Sequence, residues 1–273
     1  MRFLFLGDIV GKSGYQLVLE TVPQLIQQYQ LDFVTVNAEN ASGGFGLTEK
    51  IYHELTECGC DAITTGNHAF DKIEVFLNPA TSERLLRPAN YPSGTPGKGA
   101  NIFTTKNGAQ ILVVNMMGRV FMHPDLDDPF ACAEKILSSC NLCHEVDAII
   151  FDFHAEATSE KQCFAHFLDG RVSAVIGTHT HVPTADAQIL QQGTAYMSDA
   201  GMCGDYDSAL GMDKEEPLQR FLSKIRKNRY NVAEGPATLC GICIEICDKT
   251  GLAKKIAPLR IGPYLQPAQP DFW

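Results

Sequence analysis

Short apolar runs and amphipathic stretches alternate along the first third of the chain. Phe3, Leu4, Phe5 and Leu6 form a brief apolar run closed by Gly7, the pattern of a buried strand that stops abruptly. Gly7, Gly11 and Gly14 predict a turn, after which Tyr15, Val18, Leu19, Val22, Leu25, Ile26 and Tyr29 recur at helical spacing, with Pro23 placed to kink that helix. Residues 31–37 predict a second strand, so the opening unit is β-turn-α-β and its strands run parallel. Thr48 is placed to cap a helix through Glu57, and residues 61–65 predict a third strand ending at Gly66.

Beyond a proline- and glycine-rich loop at 87–99 the pattern changes. Residues 101–105 and 110–115 predict a hairpin turning at Asn107-Gly108, the strongest short turn signal in the chain. Asp128-Pro129 predicts the cap and first turn of a helix to about Asn141. A strand at 148–153 follows, then Ser159 with Gln162 as a capping box for another helix, then a strand at 172–176. Residues 187–190 and 195–198 are expected to pair across Gln191-Gln192-Gly193. The acidic, aperiodic stretch 201–216 predicts a lid or binding loop. Pro217 opens a helix to about Lys227, residues 236–248 and 252–261 predict a closing strand pair, and the proline-rich stretch 262–273 predicts a surface tail. Parallel units first and antiparallel pairs later predict one α/β domain over residues 1–273, a four-layer α-β-β-α sandwich of two mixed sheets flanked by helices.

Charge narrows the partners. A formal net charge of −10 and no basic run disfavour a surface that tracks long nucleic acid. A bound polyvalent cation would still leave one cleft locally positive for a small anion. The N-terminal apolar segment is too short for a signal peptide, and no stretch reaches the ~18 apolar residues of a membrane span. A cytoplasmic protein without a membrane partner is expected, and homo-oligomerisation is left open. The ten cysteines are expected to be reduced core residues. Cys240, Cys243 and Cys247 share one strand-like run, in which an extended chain cannot point all three the same way, so no metal site is expected there.

The strand ends carry the chemistry. Asp8 follows the first strand, Glu39 and Asn40 the second, Asn67 and His68 the third, His154 the strand at 148–153, and His179 and His181 the strand at 172–176. Carboxyl ends of parallel strands form the ligand crevice of an open sheet, so these groups converge. Singly, each has an ordinary reading as a turn former, a solvated acid or a capping histidine. Together, each directly after an apolar strand, they predict a metal site. Carboxylate, amide and imidazole without cysteine suit manganese, iron, zinc or magnesium, and six or seven ligands exceed what one tetrahedral ion takes, so two ions are expected.

Five segments, Gly7-Asp8-Ile9-Val10-Gly11, Asn37-Ala38-Glu39-Asn40, Thr65-Gly66-Asn67-His68, Phe153-His154-Ala155-Glu156 and Gly177-Thr178-His179-Thr180-His181, resemble in that order the calcineurin-like metallophosphoesterases, and most of all their small bacterial YmdB-like phosphodiesterase branch. Asp199-Ala200-Gly201-Met202 and Gly211-Met212 extend the resemblance over nearly the whole chain. The resemblance implies that Asp8, Glu39 and His181 hold one ion and that Glu39 bridges to a second held by Asn67, His154 and His179. Val10 stands where the wider superfamily places a histidine, and Asn40 is expected to fill that vacancy. An amide oxygen there makes that site harder and favours iron or manganese over zinc.

The implied function is a metal-dependent phosphodiesterase that hydrolyses small phosphodiesters, cyclic nucleotides such as 2′,3′- or 3′,5′-cAMP, through metal-activated hydroxide. His68 is expected to protonate the leaving oxygen, with Asp71, three residues on, orienting its ring. Phe45, Phe70, Phe121 and Tyr206 are candidates for contacting base or ribose. The alternatives are a regulatory phosphoester-binding protein with little turnover, a phosphomonoesterase or nuclease of the same superfamily, and an amidohydrolase-type barrel. A proton donor is of no use to a pure binder, and the barrels place His-x-His on an early strand.

Overall fold

The structure, a computed structural model, describes residues 1–81 and 83–273. Its first strand, β1 (Arg2–Leu6), shows how the layers arise. Phe3 and Phe5 enter the core between two sheets, whereas Leu4 and Leu6 enter the core beneath the helices. Period-two alternation of apolar residues on both faces marks a strand covered on both sides. After the short β2 (Asp8–Ile9) comes α1 (Gly11–Tyr29), which buries Gly11, Gly14, Val18, Val22, Leu25 and Tyr29, steps of three and four that form one helical stripe. The predicted glycine turn is therefore mostly helix and strand. Gly14 serves packing, since a Cβ there would lie 1.8 Å from the Cys203 carbonyl oxygen. The helix continues through Pro23, whose ring lies on the exposed side.

The strands β3 (Phe33–Asn37) and β4 (Ala62–Thr64) extend β1 in parallel, with α2 (Glu49–Glu57) between them capped by Thr48, whose hydroxyl accepts from the Ile51 amide. The helical turn α3 (Glu74–Leu77) leads to the hairpin β5 (Ala100–Thr104) and β6 (Gln110–Met117), with Gly108 at φ 87° in its turn. Next come α4 (Pro129–Leu137), capped by Asp128 and shorter than expected, β7 (Ala148–His154), α5 (Thr158–Leu168) and β8 (Ala174–Thr178). The capping box at Ser159 does not form; Ala157 takes the cap position without a side-chain bond. Next are β9 (Gln188–Ile189), β10 (Ala195–Met197), β11 (Met202–Asp205), α6 (Glu215–Ser223), β12 (Ala237–Ile246) and β13 (Ala253–Ile261).

One sheet runs β2-β11-β12-β1-β3-β4, with β13 on the other edge of β12, and the second runs β5-β6-β7-β8-β10-β9. Parallel and antiparallel pairs occur in both, and apolar clusters fill three interfaces: helix on first sheet, sheet on sheet, and second sheet on α4 and α5. This is the expected four-layer sandwich. The stretch predicted as a lid or binding loop begins with the fully buried strand β11 and becomes a loop only beyond Asp205, where Leu210 and Met212 lie against a pocket. The expected surface tail fails, because Trp273 packs on Tyr29 with ring centroids 5.5 Å apart. All ten cysteines are unpaired, and Cys143 and Cys163 are exposed rather than core. Among the described residues no helix is long and apolar enough to cross a membrane.

Candidate active site

The face of each sheet that meets the other changes character along its strands. On β7 the inward series reads Ala148, Ile150, Asp152, His154, on β8 Ala174, Ile176, Thr178, and on β3 and β4 Phe33 gives way to Asn37 and Ala62 to Thr64. Apolar at the start and polar at the carboxyl end, these series meet around Asp152, which is fully buried. Its carboxylate accepts from Asn37 Nδ2 at 3.0 Å, from the Thr64 hydroxyl, and from the Thr178 hydroxyl at 2.6 Å. Burial pushes the Asp152 carboxyl up to about 6 even though His154 and its three donors act against that.

Asp152 orients His154. With the Thr178 proton committed to Asp152, the Thr178 oxygen, 2.9 Å from His154 Nδ1, accepts from that nitrogen. In the neutral ring this leaves Nε2 as the lone pair, and Nε2 lies 3.0 Å from Glu39 Oε1, 2.9 Å from Asn67 Oδ1 and 3.1 Å from His179 Nδ1. A hydrogen-bonded ring nitrogen opposite the donor nitrogen is the arrangement found behind metal-binding histidines.

The two-histidine loop kinks at both histidines. His179 has φ 105° and His181 φ 64°, left-handed values that branched or ringed side chains adopt only when held there. Asp199 does the holding. Its Oδ2 accepts from the Thr180 amide at 2.9 Å and from Lys161 Nζ at 2.8 Å, and its Oδ1 accepts from the Gly201 amide at 2.9 Å. The His179 amide also donates to Asp8 Oδ2 at 3.1 Å. His181 Nδ1 sits 2.9 Å from the Leu210 carbonyl, which can only accept, so Nδ1 carries the proton and Nε2 offers a lone pair.

Two donor groups result, Glu39 with His154 and His179, and Asp8 with Glu39 and His181, each with its ligand atoms within 4.8 Å of one another. Glu39 belongs to both. Among the described residues no cysteine joins such a group. The residues fit metal ions on three observations. Asp8 Oδ1 and Asn40 Oδ1 are buried without a hydrogen-bond partner, a costly state unless a cation faces them. Gly66 leaves the donors room, since a Cβ there would lie 2.3 Å from His154 Nε2 and 2.4 Å from Glu39 Oε2. The third observation is electrostatic. Burial raises the Asp8 carboxyl well above its usual range. Burial acts the same way on Glu39, but His154 and His68 outweigh it and hold Glu39 at about 2. Burial would lower His154, yet Glu39, Asp8 and Asp152 push it up to about 9. Such surroundings favour positive charge at this spot. Burial and the neighbouring His154 push His179 down to about 3, and burial lowers His181, which keeps both rings neutral as ligands must be.

The predicted Asp8, Glu39, Asn40, Asn67, His154, His179 and His181 are thus gathered at one place. Val10, at the position where the wider superfamily has histidine, instead packs beside Gly204 and Gly211. His68 donates its amide to Glu39 Oε2 at 3.1 Å, and its Nδ1 lies 2.8 Å from Asp71 Oδ2, which leaves Nε2 for a substrate. A pocket of about 540 Å³ opens over Glu39, Asn40, His68, His179 and His181. Of the four aromatic candidates only Phe45 lines it, edge-on to His68 with centroids 5.0 Å apart. Phe70 packs on Phe76 and Tyr91, Phe121 is 84% exposed elsewhere, and the Tyr206 hydroxyl is tied to the Met202 amide and the His181 carbonyl. The pocket is walled instead by Leu210, Met212, Phe221 and Tyr230, and Glu156 Oε2 lies 3.2 Å from His179 Nε2. None of these five was singled out from the sequence as a site residue, nor were Asp152, Thr178, Lys161 or Asp199 as supports.

Similar proteins share this arrangement of elements. A curated relative from Bacillus subtilis (strain 168), named 2′,3′-cyclic-nucleotide 2′-phosphodiesterase, is 49% identical over 262 residues, which cover 96% of this chain and 97% of the relative. A crystal structure of a hypothetical protein from Thermus thermophilus aligns with TM-score 0.87 at 42% identity, covering 96% of this chain and 99% of that one. The crystal structure of a phosphatase from Mycoplasma pneumoniae aligns with TM-score 0.89 at 35% identity, covering 96% and 93%. Residues 4–259 match the model of the YmdB-like protein family, and with Glu39 shared between two donor groups inside that span, the chain belongs to the YmdB-like family.

Proposed function

We propose that this protein is a metal-dependent phosphodiesterase whose substrates are small cyclic phosphodiesters, 2′,3′-cyclic nucleotides first and 3′,5′-cAMP second. The observation that carries the reading is the position of Glu39 in both donor groups, at the floor of a pocket that also presents His68 backed by Asp71. The B. subtilis relative's name supports the choice of substrate. Two ions are implied, held by Asp8, Glu39, Asn40 and His181 on one side and by Glu39, Asn67, His154 and His179 on the other. Iron or manganese is favoured by the mixed oxygen and nitrogen donors. Bound there, such ions supply Lewis-acid polarisation of the phosphoryl oxygens and a water of lowered pKa.

The protein's own side chains do the rest. The Thr178–Asp152 pair fixes the ring of His154, and Asp199 fixes the two-histidine loop, so the donors hold their places when substrate arrives. When water-derived oxygen bonds to phosphorus, the bond to the 2′-oxygen breaks, and His68 Nε2 delivers a proton to that leaving oxygen. Asp71, 2.8 Å from Nδ1, keeps the ring oriented. The product is a 3′-monophosphate. The net charge of −10 and the lack of basic runs support a small substrate rather than a long nucleic acid, in a cytoplasmic protein without a membrane partner.

The test is hydrolysis of 2′,3′-cAMP by protein loaded with manganese or iron, with products separated by chromatography and metal content measured by elemental analysis. Formation of 3′-AMP with about two ions per chain is expected. No turnover of any cyclic nucleotide by metal-loaded protein would sink the proposal.

A further inference from the structure

The stretch 213–231 leaves the body of the protein and returns to it at a narrow neck. The Asp213 amide donates to the Asn231 carbonyl at 2.8 Å, Met212 bridges to Val232, and the Ala233 amide donates to the Gly211 carbonyl at 2.9 Å. Between those points α6 buries only Glu216. The excursion is braced within itself. Glu216 Oε1 accepts from Arg220 Nε at 2.9 Å and from the Lys227 amide at 3.1 Å, Arg220 donates to the Asn228 carbonyl at 2.7 Å, and its guanidinium lies 3.8 Å over the Tyr230 ring. Phe221 is 77% exposed and Tyr230 40% exposed, so neither ring serves the core. Both line the pocket whose floor holds Glu39, His68 and His179, together with Leu210, Met212 and Phe45.

We propose that this excursion is the nucleobase subsite, in which Phe221 and Tyr230 take the flat face of the base while the phosphodiester lies over the donor residues below. The proposal rests on the phosphodiesterase reading and adds which part of the substrate the chain recognises. Two aromatic rings and aliphatic side chains above an anion-binding floor match the two ends of a nucleotide, and about 540 Å³ is in the range of small-molecule sites. Arg220 stacked on Tyr230 holds one ring in place before the base arrives. Because every base has a π-face, stacking tolerates all four and grades them by size, purines above pyrimidines.

The experiment compares kcat/KM of manganese-loaded wild type, Phe221→Ala and Tyr230→Ala on 2′,3′-cAMP, 2′,3′-cUMP and the base-free methyl riboside 2′,3′-cyclic phosphate. In the wild type the ratio of 2′,3′-cAMP to the base-free ester is expected to exceed that of 2′,3′-cUMP. In each variant the adenosine ratio should fall by roughly 5- to 150-fold, the range for losing one base–aromatic stack. A ratio that stays at the wild-type value in both variants overturns the subsite, as does a wild type that treats all three esters alike. Sedimentation velocity runs alongside, and a variant that changes mass while lowering all three substrates equally would make the excursion a contact between copies and overturn it too. A wild type inactive on all three esters would instead refute the phosphodiesterase reading itself.

Discussion

Lys161 touches none of the donor atoms, yet it pairs with the carboxylate that holds the two-histidine loop. It is 2% exposed, and its ammonium lies 2.8 Å from Asp199 Oδ2, itself 1% exposed. Lys161→Met keeps the length of the stem that packs beside Gly177 and removes only the charge. The Asp199 carboxylate is then left buried with two amide donors and no cation. Breaking a buried pair in this way costs about 3–5 kcal/mol. At roughly 2–4 °C per kcal/mol for a chain near this size, the melting midpoint should drop on the order of 10 °C. The loss is also directional, because the same carboxylate holds the Thr180 and Gly201 amides and, through them, the positive-φ histidines. Chemical denaturation gives the stability and elemental analysis of dialysed protein gives the metal content. Both should fall, and Lys161→Met combined with Asp199→Asn should recover much of the stability by removing the stranded charge. A single variant within about 1 kcal/mol of wild type, or a double variant no better than the single, would refute the reasoning.

His68→Ala should keep its metal and lose roughly 10²- to 10⁴-fold of kcat on 2′,3′-cAMP, with a much smaller loss on p-nitrophenyl esters, whose leaving group needs no proton; equal losses on both would contradict the acid role. Gly66→Ala puts a methyl group 2.3 Å from His154 Nε2 and should weaken metal binding at least tenfold in a chelator competition, with secondary structure by circular dichroism unchanged. The Cys247 thiol is pulled down to about 7 by its bond to Thr250 and by the Lys249 and Thr250 amides. Thiolate is the reactive form and is populated above the pKa, so at pH 7 about half of Cys247 is reactive against roughly one per cent of an ordinary thiol near 9. Iodoacetamide labelling followed by peptide mass spectrometry should show Cys247 half-maximal near pH 7, with the buried Cys203 and Cys243 unlabelled.

The donor residues were legible because each stands directly after an apolar strand, where a change from apolar to polar is visible along the chain. Their supports were not. Asp152 sits inside the run at 148–153 that reads as apolar, and Thr64 and Thr178 are common residues of any strand. Period two within β7 places Asp152 on the face of His154, so that much of the signal is present in the sequence. Lys161 was hidden differently, since a lysine in an amphipathic helix is normally solvated, and only the tertiary position of Asp199 makes this one buried. The excursion 213–231 reads as an amphipathic helix that could face any part of the body, and its role is set by a neck of backbone bonds between segments about twenty residues apart. The packed Trp273 shows the same limit, because a proline-rich tail that reads as surface is held down by a tertiary surface, the Tyr29 ring, which the local sequence does not reveal.

The inward polar series explains why the donors sit between the sheets rather than on one of them. A sandwich core that stayed apolar to its end would close over the strand termini, with each sheet free to slide against the other. Here Asn37 and Thr64 from the first sheet and Thr178 from the second bond to one buried carboxylate. Slippage of either sheet would strip Asp152 of Asn37 and Thr64 in a dry interior and leave it only Thr178 from its own sheet, which fixes the relative position of the sheets at the level where Glu39 from one must meet His154 from the other. The Asn37 side chain also accepts from the Glu39 amide at 3.1 Å, so a group that locks the sheets together is bonded directly to the residue whose carboxylate both donor sets share. Stability and site geometry are therefore carried by the same side chains, and a change at Asp152 cannot alter one without the other.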